Sequence, residues 1–174
     1  MKPTRAFKLM ETVRQECRFA LLAFQHLRTA LNEADQERIF LFAQSMAQHA
    51  SQVACFLVPA RPASTARGEF LRSELKVETS SPLLVPALRE LVERGDERYE
   101  EWVDSLETPH YLEMSVMPQG ALAGSSPDVF HRRIDPDSLR FGFRNWTLDL
   151  NRLAQELRRL EGACQTWLRG HTPW

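Results

Sequence analysis

The residues best suited to chemistry lie in one charged stretch, residues 88–102, which reads LRELVERGDERYEEW. Arg89 and Arg94 offer guanidinium groups, whose paired N–H donors match the oxygens of a phosphate. Proton transfer near neutral pH requires a different side chain, because arginine stays protonated and histidine is the natural group. The stretch contains no histidine, so His110 or His131 would have to supply that step from elsewhere in the chain.

The same stretch also has a structural interpretation. Glu90 and Arg94 are four residues apart in the order that stabilises a helix. Three arginines stand against six carboxylates, a net charge of −3 that repels a phosphate backbone. The charges therefore favour a solvated or interface-facing helix. An ionic network at a subunit interface is the sharper form of this hypothesis, with candidate interface residues Asp96, Arg98 and Trp102.

A second basic region spans residues 131–159, where seven arginines stand against four acidic residues, a net charge of +3. Basic side chains on a β surface beside an aromatic residue can bind single-stranded nucleic acid. The candidate RNA-binding residues are Arg132, Arg133, Arg140 and Arg144. The alternative is an edge hairpin whose arginines prevent aggregation, and the modest charge favours this alternative.

Other catalytic and metal-binding patterns are missing from the sequence. It has no nucleophile signature with a histidine partner and no glycine-rich phosphate loop. It also has no Glu-x-x-His pair and no closely spaced cysteine or histidine pair, so we expect neither a metal nor a cofactor. The three cysteines fall on apolar helical stripes and are predicted to be small buried side chains: Cys17, Cys55 and Cys164.

Four long helices are expected to position these residues. Their apolar residues recur at intervals of three and four, in 4–31, between Asn32 and Pro59, in 83–106 and in 148–169. Gly95 falls on the apolar stripe of the third helix, which also includes Tyr99 and Trp102. A glycine there indicates either close packing or a kink.

The pattern changes to strands between residues 110 and 145. VFHRRI and LRFGF flank a DPDS turn and predict a hairpin, with 111–117 as the third strand of a meander. With a short helix at 69–76, the expected fold is mainly all-α. It is an up-and-down bundle of four long helices with a small β insertion before the last.

Length and composition indicate one ordinary globular domain, covering residues 1–174. The net charge is −1, and no apolar run is long enough to span a membrane. The N-terminus lacks the apolar core of a signal peptide, so we expect a cytoplasmic protein with no membrane association.

Residues 88–102 resemble the third helix of the HEPN superfamily of bacterial helical bundles, where many members resemble LRN-x-x-EH-x-DER-x-x-x-W. The order of helices, strand-rich insertion and closing helix is similar as well. Glu90 departs from the asparagine of that pattern and Arg94 from its histidine. The matching residues are Leu88, Arg89, Glu93, Asp96, Glu97, Arg98 and Trp102.

The resemblance implies a metal-independent ribonuclease ancestry, with Arg89, Glu93 and Arg94 at the catalytic positions, and a homodimer formed through this region. Because Arg94 cannot transfer protons, we expect a catalytically degenerate protein that binds a protein partner or RNA. The resemblance implies a bacterial stress, toxin–antitoxin or phage-defence setting. An active ribonuclease and a structural subunit of a larger assembly are the alternatives.

Overall fold

The computed structural model describes residues 2–106, 111–118, 121, 129–143 and 146–171. Within these residues the protein is mainly helical, with six α-helices and one four-stranded sheet. The helices are α1 (Pro3–Asn32), α2 (Gln36–Leu57), α3 (Thr65–Glu74), α4 (Pro86–Glu93), α5 (Gly95–Asp104) and α6 (Leu150–Gly170). The strands are β1 (Leu112–Val116), β2 (Phe130–Asp135), β3 (Arg140–Phe143) and β4 (Trp146–Asp149). No described helix is both long and apolar enough to cross a membrane.

The core lies where α1 packs against α2 and α6. Asp35 ends the short turn between α1 and α2 and accepts a hydrogen bond of 3.1 Å from the backbone N–H of Arg38. This bond satisfies a donor that the start of a helix leaves unpaired. The apolar stripes predicted for the three helices are confirmed, because they contain fully buried residues such as Met10, Met46 and Leu157.

The prediction of one long third helix over residues 83–106 is wrong. A short 3-10 turn, Pro82–Leu84, is followed by α4 and α5, and the chain leaves helical geometry at Arg94, with φ −139° and ψ 32°. Val85 is extended, as the residue before a proline tends to be. Apart from its chain neighbours and the nearby backbone of its own helix, no atom lies within 4 Å of the position that a Cβ on Gly95 would take. The glycine therefore marks a helix break rather than close packing, and the described residues form three long helices instead of four.

The break also changes which side of the segment faces inwards. Gly95, Arg98 and Trp102 share one face of α5, and Trp102 is fully buried. Tyr99, which the continuous stripe placed in the core, is 41% exposed. Since α5 starts a new helix after Arg94, its inward face no longer follows the phase of α4.

The predicted hairpin is confirmed, but the meander is wrong. β2 and β3 pair antiparallel, with Ile134 opposite Phe141, whereas β1 pairs with β2 in parallel. A period of two identifies a strand but not its direction, which depends on the connection. β4, which the sequence did not indicate, pairs antiparallel with β3. The side chain of Asp149 then caps α6, which begins at Leu150 instead of 148.

Candidate functional site

Arg89 ties α4 to the end of α2. Its Nη1 donates to the backbone oxygen of Val58 at 2.9 Å, and its Nη2 donates to the Glu93 carboxylate at 2.8 Å. The hydrogen bond to Glu93 is the main cause of a raised pKa at Arg89. The side chain is only 20% exposed. The guanidinium that the sequence placed at a catalytic position therefore joins two helices.

Arg94 and Arg98 are also paired with glutamates of the same segment. Arg94 lies at the helix break, exposed, and its Nε donates to Glu97 at 2.6 Å. This bond is the first cause of the raised pKa of Arg94. Arg98 donates to the carboxylate of Glu90, and its guanidinium lies 4.3 Å from the ring centroid of Trp146. Each arginine of residues 88–102 thus has a carboxylate partner within that stretch.

The structure brings His131 of β2 to α5, as the hypothesis of a histidine from the hairpin requires. The imidazole is 4% exposed, and its ring centroid lies 4.8 to 4.9 Å from those of Tyr99, Trp102 and Phe143. The imidazole is therefore packed among three aromatic rings. His110, the other candidate, lies outside the described residues.

A cavity of about 500 Å³ lies beside His131, within the size range of small-molecule sites. Its polar lining includes the amides of Gln44 and Gln48 from α2, which the sequence analysis missed because they lie outside the apolar stripe. Arg89 lines a separate groove of about 280 Å³. The described lining residues of the two do not overlap, so Arg89 and His131 lie in different cavities.

The described candidate RNA-binding arginines divide between the two faces of the sheet, with Arg132 on one face and Arg133 and Arg140 on the other. Arg132 is 17% exposed and donates to Glu113 at 2.9 Å. Arg133 is the next residue along the strand and so faces the opposite side of the sheet. It packs over Gly142, where an added Cβ would lie 2.7 Å from its side chain. Arg140 is exposed and pairs in register with Asp135 and Asp149, and Arg144 lies outside the described residues.

An exposed surface with both apolar and acidic residues runs along α5 and the start of β1. Tyr99 and Val103 are one helical turn apart on α5 and are 41% and 45% exposed. Tyr111 and Leu112 are 54% and 43% exposed, and the Tyr111 ring packs edge-on against Trp102 at 5.7 Å. Beside them on α5 runs a row of exposed acids at a spacing of four. We call these residues the α5–β1 surface: Tyr99, Val103, Tyr111, Leu112, Asp96, Glu100 and Asp104.

The predicted interface residues divide between this surface and the interior. Asp96 is exposed on the acidic row, while Arg98 is half-buried against Glu90 and Trp146. Trp102 is 1% exposed, so its side chain has no area left for a partner. It supports Tyr99 and Tyr111 from beneath, with ring centroids 5.7 Å from each.

The described residues contain no group of three or more histidine, cysteine, aspartate or glutamate side chains placed to hold a metal ion. Cys17 and Cys164 are buried, as predicted, whereas Cys55 is half-buried, and all three are free thiols. In comparisons with models of protein families, with curated proteins and with solved structures, no match to this chain was found.

Proposed function

We propose that this protein is a HEPN-like binding protein without ribonuclease activity, which binds a basic partner protein through the α5–β1 surface. The observation that carries the proposal is the division of charge in residues 88–104. The arginines are paired with Glu90, Glu93 and Glu97, whereas Asp96, Glu100 and Asp104 are exposed. The resemblance to HEPN proteins supports a bacterial stress, toxin–antitoxin or phage-defence setting.

Two features support binding in place of RNA cleavage. A phosphate at Arg89 would have to displace Glu93 and the Val58 carbonyl, which already accept its N–H donors at 2.8 and 2.9 Å. The acidic row would also repel the RNA backbone. A transphosphorylation mechanism needs a cation and a proton carrier at the same phosphate, and Arg89 and His131 line separate cavities.

The chemistry of the α5–β1 surface supports the choice of partner. Tyrosine is enriched at the energetic centres of protein interfaces, and Tyr99 and Tyr111 are the large exposed rings here. The row of carboxylates beside them complements lysine and arginine side chains. A twofold dimer through this surface would bring two acidic rows together, so a basic protein is a better match than a second copy of the chain.

The experiment is affinity capture from cells of the source organism with nuclease present, using matched variants. The surface variant is Glu100→Lys/Asp104→Lys, and Tyr99→Ser tests the apolar part. The control is Glu11→Lys/Glu69→Lys, which makes the same change of charge on α1 and α3. Circular dichroism and melting curves check that each variant is folded.

We expect a protein that the wild type and the control retain and that both surface variants lose. Its binding to the purified chain should weaken steeply with salt, since charge pairs at a surface are screened. Capture alone does not count as support. A partner that both surface variants retain contradicts the proposal. So does binding that disappears with nuclease, which would indicate RNA, or loss of only self-association, which would indicate a homodimer.

A further inference from the structure

A second site, separate from the α5–β1 surface, lies where the ends of α1, α3 and α6 meet. A cavity of about 440 Å³ is lined there by Phe7 of α1, Phe70 of α3 and Trp167 of α6. His171 and Glu74 also line it. We call these five residues the aromatic cage. Each of three helices therefore contributes one aromatic side chain to the same cavity. The packing of a single helix does not account for this convergence.

Two rings of the cage, Phe70 and Trp167, form walls at right angles. The planes of Phe70 and Trp167 meet at 89°, with centroids 6.3 Å apart. His171 stacks on the indole of Trp167 at 4.0 Å, with an angle of 6° between the planes. Phe7 lines the cavity from α1. Ring faces carry negative potential and attract cations, most strongly when the cation is poorly hydrated.

The cage also carries a negative charge, from one acidic side chain. Among the described residues that line the cavity, Glu74 is the acidic one, and no lysine or arginine is present. The Nε1–H of Trp167 donates to the Glu74 carboxylate at 2.9 Å. This bond fixes the direction of the indole and holds the carboxylate at the cavity. Aromatic walls with one negative charge complement a large, weakly hydrated cation better than a neutral or anionic molecule.

We propose that the aromatic cage binds a trimethylammonium group, as in choline or in trimethylated lysine. The volume of about 440 Å³ accommodates the head group and the chain attached to it. The three methyl groups pack against Phe7, Phe70 and Trp167, while Glu74 neutralises the charge. The site shares no residue with the α5–β1 surface and does not depend on the function proposed there.

The test is a titration of the folded chain with choline. Binding is measured by calorimetry and by the shift of the indole N–H signal of Trp167 in NMR spectra. The decisive comparison is the neutral isostere of choline, in which carbon replaces nitrogen. We expect the affinity of the isostere to be lower by about tenfold or more, because the isostere keeps the shape of choline and loses the cation–π attraction. Equal binding of the two, or no binding of choline, overturns the proposal.

Variants and a second ligand make the test specific. Glu74→Gln and Phe7→Leu are expected to lower the affinity several-fold, while Glu69→Gln, on the same helix but outside the lining, leaves it unchanged. Loss of affinity in Glu69→Gln, or none in the other two, contradicts the site. A trimethyl-lysine peptide that binds more tightly than choline indicates a methylated protein as the source of the group. The reverse order indicates a small metabolite, and either order supports the cage.

Discussion

At the scale of single residues, Arg89 shows how a side chain with catalytic potential is used for structure. Its guanidinium crosses from α4 to the last turn of α2 and is nearly covered there. Buried donors of this kind are costly to leave unpaired, and so is the carbonyl that accepts from them. These structural contacts are sufficient to explain why an arginine is present at this position, without a bound substrate.

Replacing Arg89 with alanine should destabilise the fold. Because the Val58 carbonyl and the Glu93 carboxylate both lose a charged donor, we expect the free energy of unfolding to fall by about 1–3 kcal/mol. Urea denaturation measures the change. Arg94→Ala is the matched control and should leave the midpoint unchanged, because that side chain is exposed. An unchanged midpoint in Arg89→Ala would show that the side chain is not a structural tie.

The buried thiols give a prediction about pH. Burial raises the pKa of Cys164 to about 12 and also raises the pKa of Cys17, in both cases mainly by desolvation. The unfolded thiols titrate near about 8.5, so above that pH the unfolded state holds fewer protons than the folded state. Stability should therefore be complete below this pH and fall as the pH rises from about 9 towards 12.

Thiol labelling and denaturation together check this prediction. In the folded protein at pH 8, a thiol reagent should modify Cys55 first, because it is half-buried whereas Cys17 and Cys164 are buried. The decline in stability above about pH 9 should become smaller in Cys17→Ala. Rapid labelling of all three thiols without denaturant would contradict the burial.

At the scale of elements, the sequence predicts what depends on local spacing. The stripes of α1, α2 and α6 appear where the apolar spacing of three and four predicts them, and Asp35 caps α2. Gly95 indicated a kink, yet nothing local showed that α5 would turn Tyr99 outwards. The candidate surface was missed for this reason.

The direction of β1 could not be predicted either, and for a similar reason. Alternating apolar residues identify a strand in both parallel and antiparallel pairing. In the fold, the backbone carbonyl of Met114 accepts a hydrogen bond of 3.0 Å from the side chain of Gln36 in α2. This contact and the parallel pairing with β2 join residues far apart in the sequence, so the local spacing of apolar residues does not predict them.

Two glycines should respond oppositely to alanine. At Gly95 an added methyl group meets no atom within 4 Å, so alanine should raise the free energy of unfolding by about 0.4–1 kcal/mol through reduced backbone entropy in the unfolded chain. At Gly68 the new Cβ would lie 2.6 Å from the backbone oxygen of Leu57. Gly68→Ala should therefore cost about 1–3 kcal/mol. Thermal and urea denaturation of both variants check the contrast, and destabilisation by Gly95→Ala would mean that the break needs glycine.

At the scale of the whole molecule, a net charge of −1 conceals two opposite regions. Residues 88–102 carry −3 and residues 131–159 carry +3. In the acidic stretch the arginines are paired while Asp96 and Glu100 are exposed, and Asp104, two residues after the stretch, is exposed as well. Within the basic region, Arg132 is paired with Glu113 and Arg159 with Glu156. The exposed acidic row beside Tyr99 and Val103 is therefore the basis of the proposed partner binding.

We propose that residues 88–102 form a structural and binding element instead of a catalytic helix. The most direct measurement is a metal-free RNA cleavage assay of the purified wild type, Arg89→Ala and Arg94→His, with single-stranded and structured substrates at neutral pH. Arg94→His supplies the imidazole that the HEPN pattern has at this position. We expect no cleavage by any of them, because Arg89 is bound to Val58 and Glu93. Cleavage by the wild type that a folded Arg89→Ala variant loses would contradict it.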